Sequence, residues 1–122
     1  QQYNTNSKIC WVAGFSFGAW VAMQLLMRRP EINGFISISP PANLRDFSFL
    51  APCPSSGLIV HGDKDNIASF DSTKILAEKL QKQKKVEIKF KPIKGADHFY
   101  ENFSKDFVNI VDSYIKENLK EI

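Results

Sequence analysis

The chain has 122 residues, of which 43% are hydrophobic and 24% charged, with a formal net charge of +3 and two cysteines. This length suits one domain with its own core, since domains commonly have about 100–150 residues. The composition excludes a disordered, collagen-like or disulfide-rich protein. No apolar run reaches the ~18 residues that a membrane-spanning helix needs, so no membrane partner is expected.

Much of the positive charge lies in a lysine-rich tract at residues 79–94. A solvated helix end followed by the outer face of an edge strand accounts for these lysines, since charge on an edge strand discourages pairing with other chains. We favour this interpretation over nucleic-acid binding. Residues 1–7 lack the basic and apolar parts of a secretory signal, and Cys10 and Cys53 form no CxxC pair. Reduced, buried thiols in a cytoplasmic protein are therefore expected.

Strand and helix patterns alternate along the sequence. Apolar runs predict buried strands at residues 8–13, 34–39 and 57–61. Val86, Ile88 and Phe90 alternate with charged residues, which predicts a half-exposed fourth strand. The stretch 42–56 is irregular but carries Phe47, Phe49 and Leu50, so we expect it to pack on the body of the domain.

Three helices are predicted between and after these strands. Residues 17–28 form a helix that is apolar on nearly every side and must be buried on most of them. A second helix begins at Ser69 or Asp71 and runs to about Lys84. Its expected inner face consists of Ile75, Leu76 and Leu80. The last helix, at about 102–120, carries one amphipathic stripe formed by Phe103, Phe107, Ile110, Val111 and Tyr114.

Helices that connect successive strands predict parallel pairing, because parallel strands need crossover connections. The predicted class is α/β, with three αβα layers around a mostly parallel sheet. About four strands and three main helices are expected.

A Gly-x-Ser-x-Gly motif, Gly14 to Gly18, lies between the first predicted strand and the first predicted helix. In this context a serine stands on a sharp turn that exposes its hydroxyl above the sheet. We expect a side chain at either glycine to collide with the crossing backbone. Ser16 is therefore the candidate nucleophile, and the amide of the next residue, Phe17, is the candidate oxyanion donor.

A serine hydroxyl needs a base to remove its proton, and the chain has two histidines. His98, on a loop after the fourth strand, is favoured over His61, which ends the third strand and would bond to backbone. Asp65 is favoured as the acid that orients the histidine. Asp63 is its competitor, with the alternative role of holding the turn. The order Ser, Asp, His is that of α/β-hydrolases.

The segments at residues 10–19, 61–65 and 95–99 together resemble the short bacterial hydrolases related to dienelactone hydrolases and small carboxylesterases. The resemblance covers nearly the whole chain, and it implies a Ser-His-Asp triad at Ser16, His98 and Asp65. Ser69 stands where such families often have a proline. Residues 1–122 would then form the C-terminal part of a partial α/β-hydrolase fold, with the N-terminal strands absent.

Absence of the earlier strands would leave the first strand at an edge and one side of the first helix uncovered. Self-association or a separate N-terminal half is therefore an expected partner, alongside a small acyl substrate. The expected function is hydrolysis of a small ester, thioester or related acyl compound through an acyl-enzyme, with no metal or organic cofactor. The alternative is a catalytically impaired hydrolase fragment that serves as a binding or assembly module.

Overall fold

The computed structural model describes residues 9–50 and 52–119 of the chain. The elements follow in the order β1 (Trp11–Phe15), α1 (Phe17–Arg28), β2 (Gly34–Ile38), a 3₁₀ turn (Ser48–Leu50), β3 (Gly57–Gly62), α2 (Phe70–Gln81), β4 (Ile88–Ile93) and α3 (Ser104–Leu119). This order confirms the predicted alternation of strands and helices. Lys8 and Lys120, at the predicted ends of the first strand and last helix, lie outside the described residues.

The strands of the described residues form one parallel sheet in the order β1-β2-β3-β4. Val12 lies beside Phe35 in the first pair of strands, and Ile36 lies beside Leu58 in the second. Because all the strands run in the same direction, their carboxyl ends meet at one edge of the sheet, where loops can bring side chains together. The α/β class with a parallel sheet is confirmed.

Helices cover both faces of this sheet and make the three predicted layers. On one face α1 and α2 enclose a core that includes Met23, Ile59 and Leu80. On the other face α3 packs over Val60, and all five members of its predicted stripe contact this second core. Within residues 9–50 and 52–119, no helix combines the length and apolarity needed to cross a membrane.

Several boundaries differ from the sequence predictions by a few residues. β1 runs from Trp11 to Phe15 rather than over 8–13, because its pairing with β2 continues to Phe15 and Ile38. Cys10 therefore precedes the strand and is exposed, so the prediction that both thiols are buried is wrong for Cys10 and confirmed for Cys53. The irregular stretch packs as expected, with Phe47 and other apolar residues inside the core.

The start of α2 is settled by Ser69, whose side chain accepts a hydrogen bond from the Ser72 amide at 3.1 Å. The helix ends at Gln81 rather than near residue 84. Ile75 is 65% exposed, so its predicted place on the inner face is wrong. The predicted Leu80 is buried and Leu76 packs against the core, together with Thr73 and Ala77 in the place expected for Ile75.

Within the part of the chain that the structure describes, one side of α1 is covered and the other is exposed. Ala19, Met23 and other small or apolar residues face the sheet. Three residues spaced four apart, which we call the α1 stripe, are between 40% and 50% exposed: Phe17, Val21 and Leu25.

Candidate active site

Ser16 lies at the turn between β1 and α1 in a backbone conformation that residues other than glycine rarely adopt, with φ 56° and ψ −123°. Its amide donates to the Ile38 carbonyl at 2.8 Å, and its carbonyl accepts from the Ala19 amide at 2.9 Å. These bonds tie the turn to the end of β2 and to the first turn of α1. The serine is thereby held at the carboxyl edge of the sheet.

The two glycines of the motif differ in what surrounds them. A Cβ at Gly14 would collide with the Gly18 carbonyl and lie 2.8 Å from the Ala19 Cα, which confirms the predicted close approach of strand and helix. A Cβ at Gly18 would have no atom within 4 Å among its described surroundings. The prediction of a collision at Gly18 is therefore wrong for the described part of the chain.

The structure brings Ser16, His98 and Asp65 together although they lie far apart in the sequence. His98 Nε2 is 2.9 Å from Ser16 Oγ, and His98 Nδ1 is 2.6 Å from Asp65 Oδ2. With the proton on Nδ1 donated to the carboxylate, Nε2 is free to accept from the serine hydroxyl. His98 is 3% exposed, and its imidazole contacts the rings of Phe15 and Phe99, with centroid distances of 5.2 and 4.9 Å.

The loop that carries His98 is fastened to the ends of β2 and β3 by Tyr100. The Tyr100 hydroxyl lies 2.7 Å from Ser39 Oγ and donates to the Val60 carbonyl at 3.2 Å. Ser39 Oγ donates in turn to the carbonyl of His98 itself at 3.3 Å. Burial raises the pKa of Tyr100 to about 12, so the hydroxyl keeps its proton and its bonds at neutral pH.

Asp65 rather than Asp63 meets the histidine. The Asp65 side chain is fully buried, and its Oδ1 accepts from the amides of Ile67 and Ala68 at 2.8 Å each. These two bonds leave Oδ2 for His98. Asp63 Oδ1 instead accepts from the Gly95 amide at 2.6 Å, which is the turn-holding role that the sequence offers as its alternative.

His61 lies away from Ser16 and, as expected, bonds to backbone. Its side chain is fully buried, with Nε2 2.8 Å from the Ala68 carbonyl. The same nitrogen lies 3.2 Å from Asp65 Oδ2, a contact that the sequence analysis missed. Because this contact forms across a turn and not along a helix, the sequence carried no local signal for it. Burial lowers the pKa of His61 and favours its neutral form.

Phe17, the predicted oxyanion donor, is the first residue of α1. The amides of the first helical turn have no acceptor within their own helix, and the helix dipole adds positive potential there. The Arg45 guanidinium lies 5.0 Å from the centroid of the Phe17 ring and adds a cation near this helix end. Among the described residues, no cluster of His, Cys, Asp and Glu is grouped to hold a metal ion.

A parallel sheet with helices on both faces, and a serine on a strained turn between strand and helix, is the arrangement of the α/β-hydrolase fold. Comparison with known proteins agrees. The chain belongs to the dienelactone hydrolase family, whose sequence model matches residues 1–121.

Three relatives illustrate this similarity. An uncharacterised protein of Rickettsia prowazekii is 50% identical over 94% of this chain and 50% of its own length. The crystal structure of a protein of unknown function from Agrobacterium tumefaciens is 51% identical over 94% of this chain and 53% of its own, with a TM-score of 0.90. An α/β serine hydrolase without a lid from Xanthomonas campestris is 30% identical over 88% of this chain and 46% of its own, with a TM-score of 0.72.

The chain thus spans about half the length of the relatives it matches. Its family model is that of the dienelactone hydrolases, and the Xanthomonas campestris neighbour is an α/β serine hydrolase. The described half of the fold contains the serine, the histidine and the aspartate of the predicted site.

Proposed function

We propose that this chain supplies the nucleophile, base and acid of a serine hydrolase that acts on a small ester, thioester or related acyl compound. The observation that carries the proposal is the continuous path from Ser16 Oγ through His98 to Asp65 Oδ2, with steps of 2.9 and 2.6 Å. Both distances are those of hydrogen bonds between a nucleophile, its base and an orienting acid.

In the acylation step Ser16 Oγ attacks the acyl carbon while its proton passes to His98 Nε2. The carbonyl oxygen of the substrate becomes an oxyanion, which the Phe17 amide is positioned to stabilise. Asp65 stabilises the imidazolium through Nδ1–H. The tetrahedral intermediate then collapses, and His98 gives the proton to the departing alcohol or thiol.

In the deacylation step a water molecule attacks the acyl group on Ser16. His98 removes the proton of this water, a second tetrahedral intermediate forms, and Ser16 leaves with the proton as the carboxylic acid is released. The rings of Phe15 and Phe99, which contact the imidazole and are 40% and 64% exposed, supply an apolar surface for the acyl group or leaving group. We place the reaction in the cytoplasm, because Cys10 and Cys53 are both free thiols.

Hydrolysis of p-nitrophenyl acetate tests this function. We expect a burst of p-nitrophenol that corresponds to acylation of Ser16, followed by slower turnover. Ser16→Ala should abolish the burst, whereas Ser48→Ala, at an exposed serine of the 3₁₀ turn, should retain it. A burst that persists in Ser16→Ala would contradict the proposal.

The second candidate, a binding or assembly module, is favoured by the uncovered side of the molecule. β1 is an edge of the described sheet, and its outer side has no paired strand within the described residues. The α1 stripe beside it exposes three large apolar side chains. Folded protein that shows no serine-dependent burst, alone or with a partner, would favour this candidate.

We further propose that the open edge of β1 and the α1 stripe are covered by a segment that contains strands. This segment would correspond to the half of each relative that lies outside the match. The chain accounts for about half of each relative, and an open apolar strand edge readily pairs with another strand. Gly18 supports the same occupant. The described chain leaves open space at its Cβ position, as a glycine against which another backbone packs would require.

Co-expression with the part of the Rickettsia prowazekii relative that lies outside the match tests this occupant. Light scattering should show a one-to-one complex, and Leu25→Glu in the α1 stripe should abolish it. Ile75→Glu, at an exposed apolar residue of α2, is the matched control and should leave the complex intact. A symmetric dimer of this chain, or a stable monomer that ignores the added segment, would contradict the proposal.

A further inference from the structure

His61 is fully buried, yet the proposed proton transfer does not use it. Its Nε2 lies 2.8 Å from the Ala68 carbonyl oxygen, which can only accept, so Nε2 carries a proton. Its Nδ1 is buried without a hydrogen-bond partner among the described groups. An imidazolium would place a second N–H at that unpartnered position, at a high desolvation cost. The ring is therefore neutral, with its proton on Nε2.

This N–H lies beside the carboxylate that orients His98. Asp65 Oδ2 is 2.6 Å from His98 Nδ1 and 3.2 Å from His61 Nε2, so two imidazoles approach one oxygen. The other oxygen, Oδ1, accepts from the Ile67 and Ala68 amides. The carboxylate thus has contacts on both oxygens and little freedom to rotate.

The groups around His61 leave Asp65 as its charged neighbour. Asp65 and His98 are the ionisable groups whose charges act on His61. From α2, the Phe70 ring packs against the imidazole edge, with centroids 6.0 Å apart, and brings no charge. Tyr100 is held neutral by burial, which raises its pKa to about 12.

We propose that His61 is a positioning residue for the acid of the proposed triad. This inference rests on the function proposed above. His61 fixes the 65–68 turn through the Ala68 carbonyl and sets the direction of Asp65 Oδ2 toward His98. Its N–H also stabilises the carboxylate, so that Asp65 binds the Nδ1 proton of His98 without drawing it away.

The chain contains two histidines. The ring signals of His61 and His98 can therefore be told apart in ¹H–¹⁵N spectra of the imidazoles, without labelling either residue selectively. In the wild-type protein the His61 signals should report a neutral ring protonated at Nε2 between about pH 5 and pH 8, the range in which free histidine titrates. Because both rings contact one oxygen, the His61 Nε2 resonance should move with the same midpoint as the His98 ring. A His61 ring protonated at Nδ1, or a resonance that ignores His98, would overturn the proposal.

His61→Phe retains a ring of similar volume and removes the N–H. The carboxylate then loses one stabilising contact and holds the His98 imidazolium more strongly. We expect the pH midpoint of the His98 ring signals to rise. In folded His61→Phe protein, an unchanged or lowered midpoint would overturn the proposal. If this variant fails to fold, the wild-type measurement decides.

Thr73→Val is the matched control. Thr73 is buried and donates to the Pro40 carbonyl at 2.9 Å, so this variant also loses one internal hydrogen bond to backbone. The hydrogen bond that this variant loses does not involve Asp65. The pH midpoint of the His98 ring signals should therefore stay at its wild-type value, while the melting temperature falls. A midpoint shift as large as in His61→Phe would mean that general loosening, rather than positioning, causes the effect.

These spectra need no turnover, which separates this proposal from the proposed function. Loss of serine reactivity with retained coupling of the two rings would refute the hydrolase function and leave the contact geometry intact. Serine-dependent turnover without coupling would refute the role of His61 alone.

Discussion

The crossing of β1 and α1 makes one glycine of the Gly-x-Ser-x-Gly motif far more sensitive to substitution than the other. In Gly14→Ala, the new Cβ would collide with the Gly18 carbonyl and lie 2.8 Å from the Ala19 Cα. Carbon atoms pack at about 3.5–4.0 Å, so α1 must move off the strand by about 1 Å. Overpacking of this kind costs about 1–3 kcal/mol of the free energy of unfolding.

The same displacement acts on the site, because Ser16 lies between the strand and the helix that must separate. Its 2.9 Å hydrogen bond to His98 would lengthen, and misplacement by about 1 Å can cost about 10²-fold in rate. Urea unfolding followed by circular dichroism measures the stability, and the burst with p-nitrophenyl acetate measures the reactivity.

Gly18→Ala is the matched comparison. Its Cβ would meet no atom of the described residues within 4 Å, and alanine is the better helix former, by up to about 1 kcal/mol. We expect this variant to be as stable as the wild type or slightly more stable. The reasoning is refuted if Gly14→Ala unfolds at the wild-type urea concentration, or if the two variants lose equal stability.

Three further predictions concern pH, the turn at Asp63 and the thiols. Burial raises the pKa of Tyr100 from 10.0 to about 12, so the contribution of Tyr100 to stability is complete below pH 10 and is lost as the pH rises toward 12. Thermal melts of Tyr100→Phe should therefore show a weaker loss of stability across that interval than melts of the wild-type protein. Asp63→Asn should keep the serine-dependent burst but lower the melting temperature, since it weakens the 2.6 Å bond to the Gly95 amide; loss of the burst at full stability would contradict this. A thiol reagent should modify exposed Cys10 rapidly, whereas Cys53, which is buried and whose pKa is raised by burial, should react only on unfolding. Mass spectrometry of the digested protein measures both rates of modification, and equal rates would contradict the prediction.

The fold was predictable from the sequence because its signals are local. Buried parallel strands appear as continuous apolar runs, and the stripe of α3 repeats at helical spacing. The boundaries were less predictable. β1 extends to Phe15 because β2 pairs with it that far. This pairing is a tertiary contact, so the local sequence pattern does not predict it. Ile75 was placed inside because its side chain is apolar, whereas the face of α2 that is buried carries Thr73, Ala77 and Leu80 and leaves Ile75 exposed.

The candidate site was predictable where a motif carries a mechanism. The strained turn at Ser16 follows from its motif, and Asp65 was favoured over Asp63 because an aspartate beside Gly62 has the alternative role of holding the turn. The contact between His61 and Asp65 was not predictable in this way, because it depends on how the 65–68 turn folds back over the end of β3. The anchoring of the His98 loop by Tyr100 likewise depends on two side chains and two backbone carbonyls brought together from three segments.

Site-specific labelling with a fluorophosphonate tests the central claim most directly, because this reagent forms a stable bond only with an activated serine. Native protein, alone and with the remaining half of the fold supplied, should be labelled at Ser16, as peptide mapping by mass spectrometry would show. The label should disappear in urea and in a folded His98→Ala variant, while Asp63→Asn should still take it up. Folded protein that takes no label at Ser16 under either condition would contradict the account.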